Sequence, residues 1–365
     1  MHPIISETIK QIRNITTKEH SNIVNKISNL LNVNDYNYRN DLRVATTLLP
    51  FAESIGDALR PENVNFAFLF KNIGSVYYKT SQFRSAIIMY KTSEKIYKQF
   101  SGKHDDFYYN LKNNIAHNYS KGINFEKARV SLENVISEME QNPDIPISHT
   151  NVAINNLCDV LQQIDFELMY TYLLKCIHSW RIIGIKNIDA AVTYALMGAY
   201  FYHKKNYNCA ITNVKKAIKI IISINPDHLS LSSKYTDLAT YYSELLSHRK
   251  ALKYYNKSLD ILKSYKQEHS YYGNILLYNI GYTFMLMENY KKSNDYYLEA
   301  LFWQLKLYQE NKYFNQRIIK YIHKNYEFMH SNERHTEYDF NIWLQQQLVD
   351  YGETLSDKKI SENPP

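Results

Sequence analysis

The sequence predicts an all-α solenoid of antiparallel helix pairs, and three observations carry that expectation. Glycine and proline are scarce, 9 and 8 in 365 residues, which leaves little material for hairpin turns, Gly-rich phosphate loops or long irregular connections. Apolar residues recur at spacings of three and four, the stripe that an amphipathic helix buries. A block of small and aromatic residues also returns every forty-odd positions, the mark of a stacked repeat.

Composition narrows the function classes. Apolar residues make up 45% and charged residues 22%, the balance of a chain that folds rather than one that stays disordered. No stretch approaches the ~18 consecutive apolar residues of a membrane-spanning helix, so no membrane insertion is expected. The opening MHPIISETIKQIRN has no basic leader followed by an apolar core, and a cytoplasmic address is the expectation. Cys158, Cys176 and Cys209 fit neither a disulfide framework nor a zinc site by spacing, and read as reduced thiols between helices. A formal charge of +7 is mild and spread along the chain; it suits acidic partners more than it specifies nucleic acid.

Taken in order, residues 1–60 are expected to form helices that cap the array. Residues 4–33 read as one or two helices, and 38–58 carry an apolar stripe through Leu42, Leu49, Ala52 and Ile55. Pro50 should kink that helix or begin a new one, because it lacks an amide hydrogen and clashes with the preceding turn. Residues 61–310 then hold about six repeats. The first reads Phe70-x2-Ile73-Gly74-x2-Tyr77, then Phe83-x2-Ala86-x3-Tyr90-x2-Ser93. Its small anchor returns at Ala116, Gly198, Ala239 and Gly281, in steps of 42, 82, 41 and 42 residues. The long step demands a further unit, found in degenerate form at Asn156-Leu157-Cys158-x2-Leu161 and Phe166 to Ile177, with Met169 where alanine is expected. Small residues at both anchors let the paired helices approach closely. Residues 311–352 read as a degenerate C-terminal hairpin, with His335 where its small anchor belongs, and 353–365 as a disordered polar tail.

The repeated block resembles the tetratricopeptide repeat family over about residues 65–310. Its step near 42 and the loop INPDHLSL (224–231) resemble the kinesin-light-chain class of that family. The resemblance implies a right-handed superhelix whose first helices line a concave groove.

No nucleotide, zinc-hydrolase or serine-nucleophile motif is present: there is no Gly-rich loop followed by Lys-Ser/Thr, no HExxH, no GxSxG and no CxxC. The chain is therefore not read as an enzyme; no catalytic residue, cofactor or metal ligand is assigned. His323, His330 and His335 sit at the wrong helical spacing for a metal and read as surface histidines. Lysines interleaved with aromatics, as at Lys253, Tyr254, Tyr255 and Lys257, fall on second helices, which the resemblance places outside the groove, and RNA or DNA is disfavoured as a ligand.

A binding signal lies two places before each small anchor, where the residues are Asn72, Asn114, Asn156, Leu196, Asp237 and Asn279. The resemblance puts this position on the groove wall, where an asparagine amide can pair with the main chain of an extended peptide. Asparagine is common throughout the chain, yet it holds this register in four of six units. Lys71, Lys79, Asn113, His117, Lys121 and Asn155 surround the ladder in the first repeats and predict a positive end suited to acidic ligand residues. Leu196, Tyr278 and Tyr282 predict a more apolar floor further on. The expected partner is a protein or peptide held by an adaptor; an intracellular peptide-pheromone receptor or the sensor module of a bacterial signalling system is the alternative.

Overall fold

The structure, a computed structural model, describes residues 17–33, 38–80, 82–121, 124–184, 187–307, 312–331 and 336–362. Among them are sixteen helices and no strand. They fall into two compact units: residues 1–205 with 216–228, and residues 206–215 with 229–365.

In the first unit, α1 (Thr17–Leu30) and α2 (Tyr38–Ala58) precede three hairpins, α3 (Asn65–Lys79) with α4 (Phe83–Phe100), α5 (Asp106–Lys121) with α6 (Phe125–Gln141), and α7 (Ile147–Leu161) with α8 (Phe166–Ile183). The helix α9 (Ile188–His203) follows, packed on α7 and α8, and then α10 (Tyr207–Ile224), whose residues divide between the units. The second unit holds the hairpins α11 (Ser230–Glu244) with α12 (His248–Ser264) and α13 (Tyr271–Leu286) with α14 (Tyr290–Leu307), then α15 (Lys312–Met329) and α16 (Glu337–Glu362). Each second helix packs on its own first helix and on the next one, as α4 does on α3 and α5, and α12 on α11 and α13.

The small anchors sit at the tight crossings. A β-carbon on Gly74 would press on the ring of Tyr90 and the carbonyl of Ala86, and one on Gly281 on Tyr297 and the Ser293 carbonyl. Ala86, Ala128, Ala239 and Ala251 are fully buried. The degenerate unit keeps the same crossing with different atoms: the Cys158 thiol lies 3.7 Å from the Met169 carbonyl, and the helices α7 and α8 pack on one another. Burial pushes the Cys158 thiol up, and that of Cys176 up to about 12, as expected of inert interior thiols.

Two inter-repeat loops share a turn. In Asn142-Pro143-Asp144 and Asn225-Pro226-Asp227 the asparagine Oδ1 accepts from the aspartate amide at 3.1 and 2.9 Å, and the asparagine carbonyl accepts from Ile145 and His228 at 3.2 Å. The central proline has no N–H to satisfy and its fixed φ suits the bend.

Of the two alternatives at Pro50, no new helix begins there: it lies inside α2, and the Ser54 hydroxyl donates to its carbonyl at 2.8 Å. One expectation at the C-terminal end changes. The helix α16 continues to Glu362 through most of the segment read as a disordered tail, because residues 353–362 contain no proline or glycine to stop it. His335 lies outside the described residues, as do residues 1–16 within the N-terminal cap.

Candidate functional site

The first helices of successive hairpins touch through one stripe, α1 with α3, α5 with α7, and α7 with α9 in the first unit. Residues about 42 apart therefore meet. The Asn72 amide donates to the Ser28 carbonyl at 2.9 Å and to its hydroxyl at 3.0 Å. The Asn156 amide donates to Asn113 Oδ1 at 3.1 Å. His117 Nε2 lies 3.2 Å from Asp159 Oδ2, and the Tyr78 ring lies 5.6 Å from the His117 ring.

The predicted ladder thus sorts into two kinds of residue. Asn72, Asn114 and Asn156 are half-buried, at the rim of contacts between first helices. Asn113 and Asn155, three places before the anchors, are only 3% and 4% exposed. The Asn155 amide donates to the Asp189 carbonyl at 2.8 Å, and its Oδ1 accepts from the Thr193 hydroxyl at 2.7 Å, whose oxygen in turn accepts from the Trp180 indole at 2.9 Å. A buried amide satisfied this way ties helices together and presents nothing to a ligand, so Asn113 and Asn155 leave the candidate groove. His117 leaves it as well: its side chain is 12% exposed and engaged with Asp159.

Lys71 and Lys79 stay on the face, both half-buried on α3. Burial, and then the nearby Lys79 charge, hold the Lys71 ammonium below the usual lysine range. The side chain of Lys121 lies outside the described residues. Leu196 is 8% exposed on α9 and serves as core.

In the second unit, Asp237 keeps 40% of its side chain exposed with Lys234 Nζ at 3.7 Å. Desolvation raises its carboxyl above the usual range while Lys234 opposes the rise. Asn279 is half-buried on α13. Tyr278 is 5% exposed, its ring 5.5 Å from Tyr297 and 5.9 Å from Tyr321, with the Arg317 guanidinium 4.9 Å from its centre. Tyr282 packs edge-on to Tyr321 at 5.5 Å. Of the two tyrosines expected on an apolar floor, Tyr278 is covered by α15 and Tyr282 remains partly open.

Sequence reasoning missed Ser28, Thr193, Trp180 and Arg317 as partners. The usable signal was the repeat length itself: complementary pairs such as His117 and Asp159, or Asn113 and Asn156, stand one repeat apart and must meet wherever first helices adjoin. Among the described residues no three His, Cys, Asp or Glu side chains gather in a metal-binding group, and no helix is long and apolar enough to cross a membrane.

Residues 189–264, spanning α9 to α12, match the tetratricopeptide repeat family. The architecture is shared with solved helical-repeat structures of low sequence identity. The Rap conjugation gene regulator of the plasmid pLS20, in complex with the Phr* peptide, is 10% identical, with a TM-score of 0.55 over 87% of this chain and 99% of that one. A Rap protein complexed with competence and sporulation factor is 15% identical, with a TM-score of 0.54 over 80% and 85%. A signal transduction ATPase with a tetratricopeptide repeat sensor from Pyrococcus horikoshii is 13% identical, with a TM-score of 0.54 over 95% of this chain and 55% of that one. No curated protein matches the sequence. The chain is thus an all-α protein of tetratricopeptide-type hairpins, with the repeats themselves matched in residues 189–264.

Proposed function

We propose that this protein is a non-catalytic, cytoplasmic adaptor that holds an extended segment of a partner protein along its first helices. The observation that carries the reading is the equal register of Asn72, Asn114 and Asn156, all half-buried two places before a small anchor. Asn72 and Asn156 each spend amide hydrogens on a neighbouring helix, which fixes their orientation and leaves acceptor capacity for a peptide N–H. Lys71 and Lys79 add a cationic end for an acidic ligand residue. The step of 42 residues and the Asn-Pro-Asp loop support assignment to the kinesin-light-chain class of tetratricopeptide repeats.

The test is a displayed library of extended peptides selected on the full chain and rebound to Asn114→Ala and Lys71→Glu variants. Selected peptides should lose affinity for both. Peptides that bind the variants as well as the wild type would move the site off this face.

A second reading, a receptor for a short free peptide, draws on the fold shared with the Rap regulator in complex with the Phr* peptide. Such a receptor would be stabilised by mass action, with the melting midpoint rising as peptide concentration exceeds Kd. A short peptide that shifts the midpoint as much as the longer partner segment containing it would favour the receptor; a shift that needs the whole segment favours the adaptor.

A further inference from the structure

In the second unit, the side of α11 opposite Asp237 carries a different assembly. Tyr235 and Tyr242 stand about two turns apart on α11, and the Tyr254 ring of α12 stacks on both, at 6.0 and 5.6 Å and within 19° and 3° of parallel. Three ammonium groups are seated over these rings. Lys215 and Lys250 each lie 5.5 Å from the centre of Tyr242, and Lys257 lies 5.4 Å from Tyr235 and 5.8 Å from Tyr254.

All three lysines are exposed, while the rings beneath are half-buried. None of the three forms an ion pair with a carboxylate among the described residues, although Asp260 stands one turn from Lys257 on α12. An aromatic face holds a cation by its quadrupole without neutralising it. The result is a row of positive charges seated on aromatic faces rather than on carboxylates.

The arrangement is a property of the repeat. In the first unit Tyr119 occupies the place of Tyr242, three residues after its small anchor, with Lys127 at 4.3 Å and Lys91 at 5.6 Å. Lys127 and Lys250 both follow their tyrosine by eight residues. The helix α6 that supplies Lys127, however, also carries Glu126 and Glu133, both paired with Arg129. Beside Tyr242, by contrast, none of the three seated lysines pairs with a carboxylate among the described residues.

We propose that Lys215, Lys250 and Lys257, seated on Tyr242, Tyr235 and Tyr254, form a docking surface for a carboxylate-rich segment of a partner protein, separate from the Asn and Lys register of the first helices. Charge complementarity selects an anion, and pre-seated ammoniums reduce the ordering cost of binding it. The ring faces argue against single-stranded nucleic acid, which binds such platforms by stacking bases on open aromatic faces. Here those faces already hold lysines or another tyrosine.

The test titrates the full chain into a fluorescein-labelled oligoglutamate peptide, read by anisotropy at physiological ionic strength. The wild type should bind, and the combined Lys215→Ala, Lys250→Ala and Lys257→Ala variant should lose about tenfold or more in affinity. The corresponding three Lys→Arg changes should retain binding, since arginine keeps both the charge and the ring contact. Lys263→Ala, exposed elsewhere on α12, should leave it unchanged, and circular dichroism verifies the helical content of each variant. Failure of the wild type to bind, an equal loss from Lys263→Ala, or tighter binding of single-stranded oligothymidine through the same three lysines would each overturn the proposal. None of these outcomes depends on Asn114 or Lys71, so this surface and the first-helix face fail or stand separately.

Discussion

A β-carbon built on Gly74 would lie 2.9 Å from both Cδ1 and Cε1 of Tyr90. Tyr90 is 2% exposed, so its ring has no empty space to enter. Gly74→Ala sets two effects against each other: alanine gains about 1 kcal/mol of helix propensity, and overpacking costs about 1–3 kcal/mol. The rigid ring decides the sign, and a net loss of about 1 kcal/mol is expected. Gly281→Ala, facing Tyr297 at 2.9 and 3.0 Å, should behave alike. Urea unfolding checks both; midpoints at or above the wild type would show that the helix pairs can spread.

The same tyrosine predicts a pH response. Burial pushes the Tyr90 hydroxyl up to about 12, the 3.2 Å bond to Ser75 acting in the opposite direction. A group whose folded value exceeds its unfolded value of 10.0 contributes stability that is whole below pH 10 and is lost as pH rises toward 12. The protein should therefore weaken across that window. Tyr90→Phe, which keeps the packing and removes the proton, should flatten its share of the decline. Equal slopes for the two proteins between pH 10 and 12 would refute the assignment.

Asparagines one place apart in the repeat register should separate stability from binding. Asn155→Ala removes an amide buried between α7 and α9 and leaves the Asp189 carbonyl and Thr193 hydroxyl with only their 3.2 Å bond to one another in place of two shorter ones, a loss of about 1–3 kcal/mol. Thr193→Val strands the Trp180 indole and should cost a similar amount. The two changes act on one network, so the double variant should lose less than the sum. Asn114→Ala, at the half-buried position, should alter stability by no more than about 0.5 kcal/mol while weakening peptide capture. A chemical-denaturation series measures all four, and strictly additive losses for Asn155 and Thr193 would break the network argument.

Much of this architecture was legible because the determinants are local. Gly74, Ala116, Ala239 and Gly281 mark helix crossings by size alone, and the apolar stripes around them give each helix its inner face. The identity of the binding residues was less legible, because a side chain's neighbours come from the adjoining repeat. Asn113 and Asn114 look equivalent in the sequence, yet a rotation of about 100° between successive helical residues puts one under α7 and leaves the other at the rim. Tyr278 reads as groove surface until α15 brings Tyr321 and Arg317 over it. The second-helix caps were also overlooked: Asn124, Asp165, Asn206 and Asn289 accept from amides in the first turn of α6, α8, α10 and α14. They recur eight residues after the small anchor, or seven in the degenerate hairpin, whose turn is one residue shorter.

Between that anchor and its cap, the hairpin turn uses a left-handed residue that is not glycine. Leu246 and Glu288 have φ of 55° and 57°, each seven places after its anchor. An L-residue with a β-carbon pays about 1–2 kcal/mol for this conformation, whereas asparagine enters it readily. Leu246 is also 78% exposed, so deleting its side chain forfeits no packing, and the bond from its amide to the Ser243 carbonyl at 2.9 Å is retained. Leu246→Asn should therefore raise stability by about 0.5–1 kcal/mol. Leu246→Gly should gain less, because glycine's greater freedom in the unfolded chain offsets the relief by about 0.5–1 kcal/mol. Urea midpoints ordered Asn above Gly above Leu are the expected result; a Leu246→Asn midpoint at or below the wild type would mean that the turn carries no strain to release.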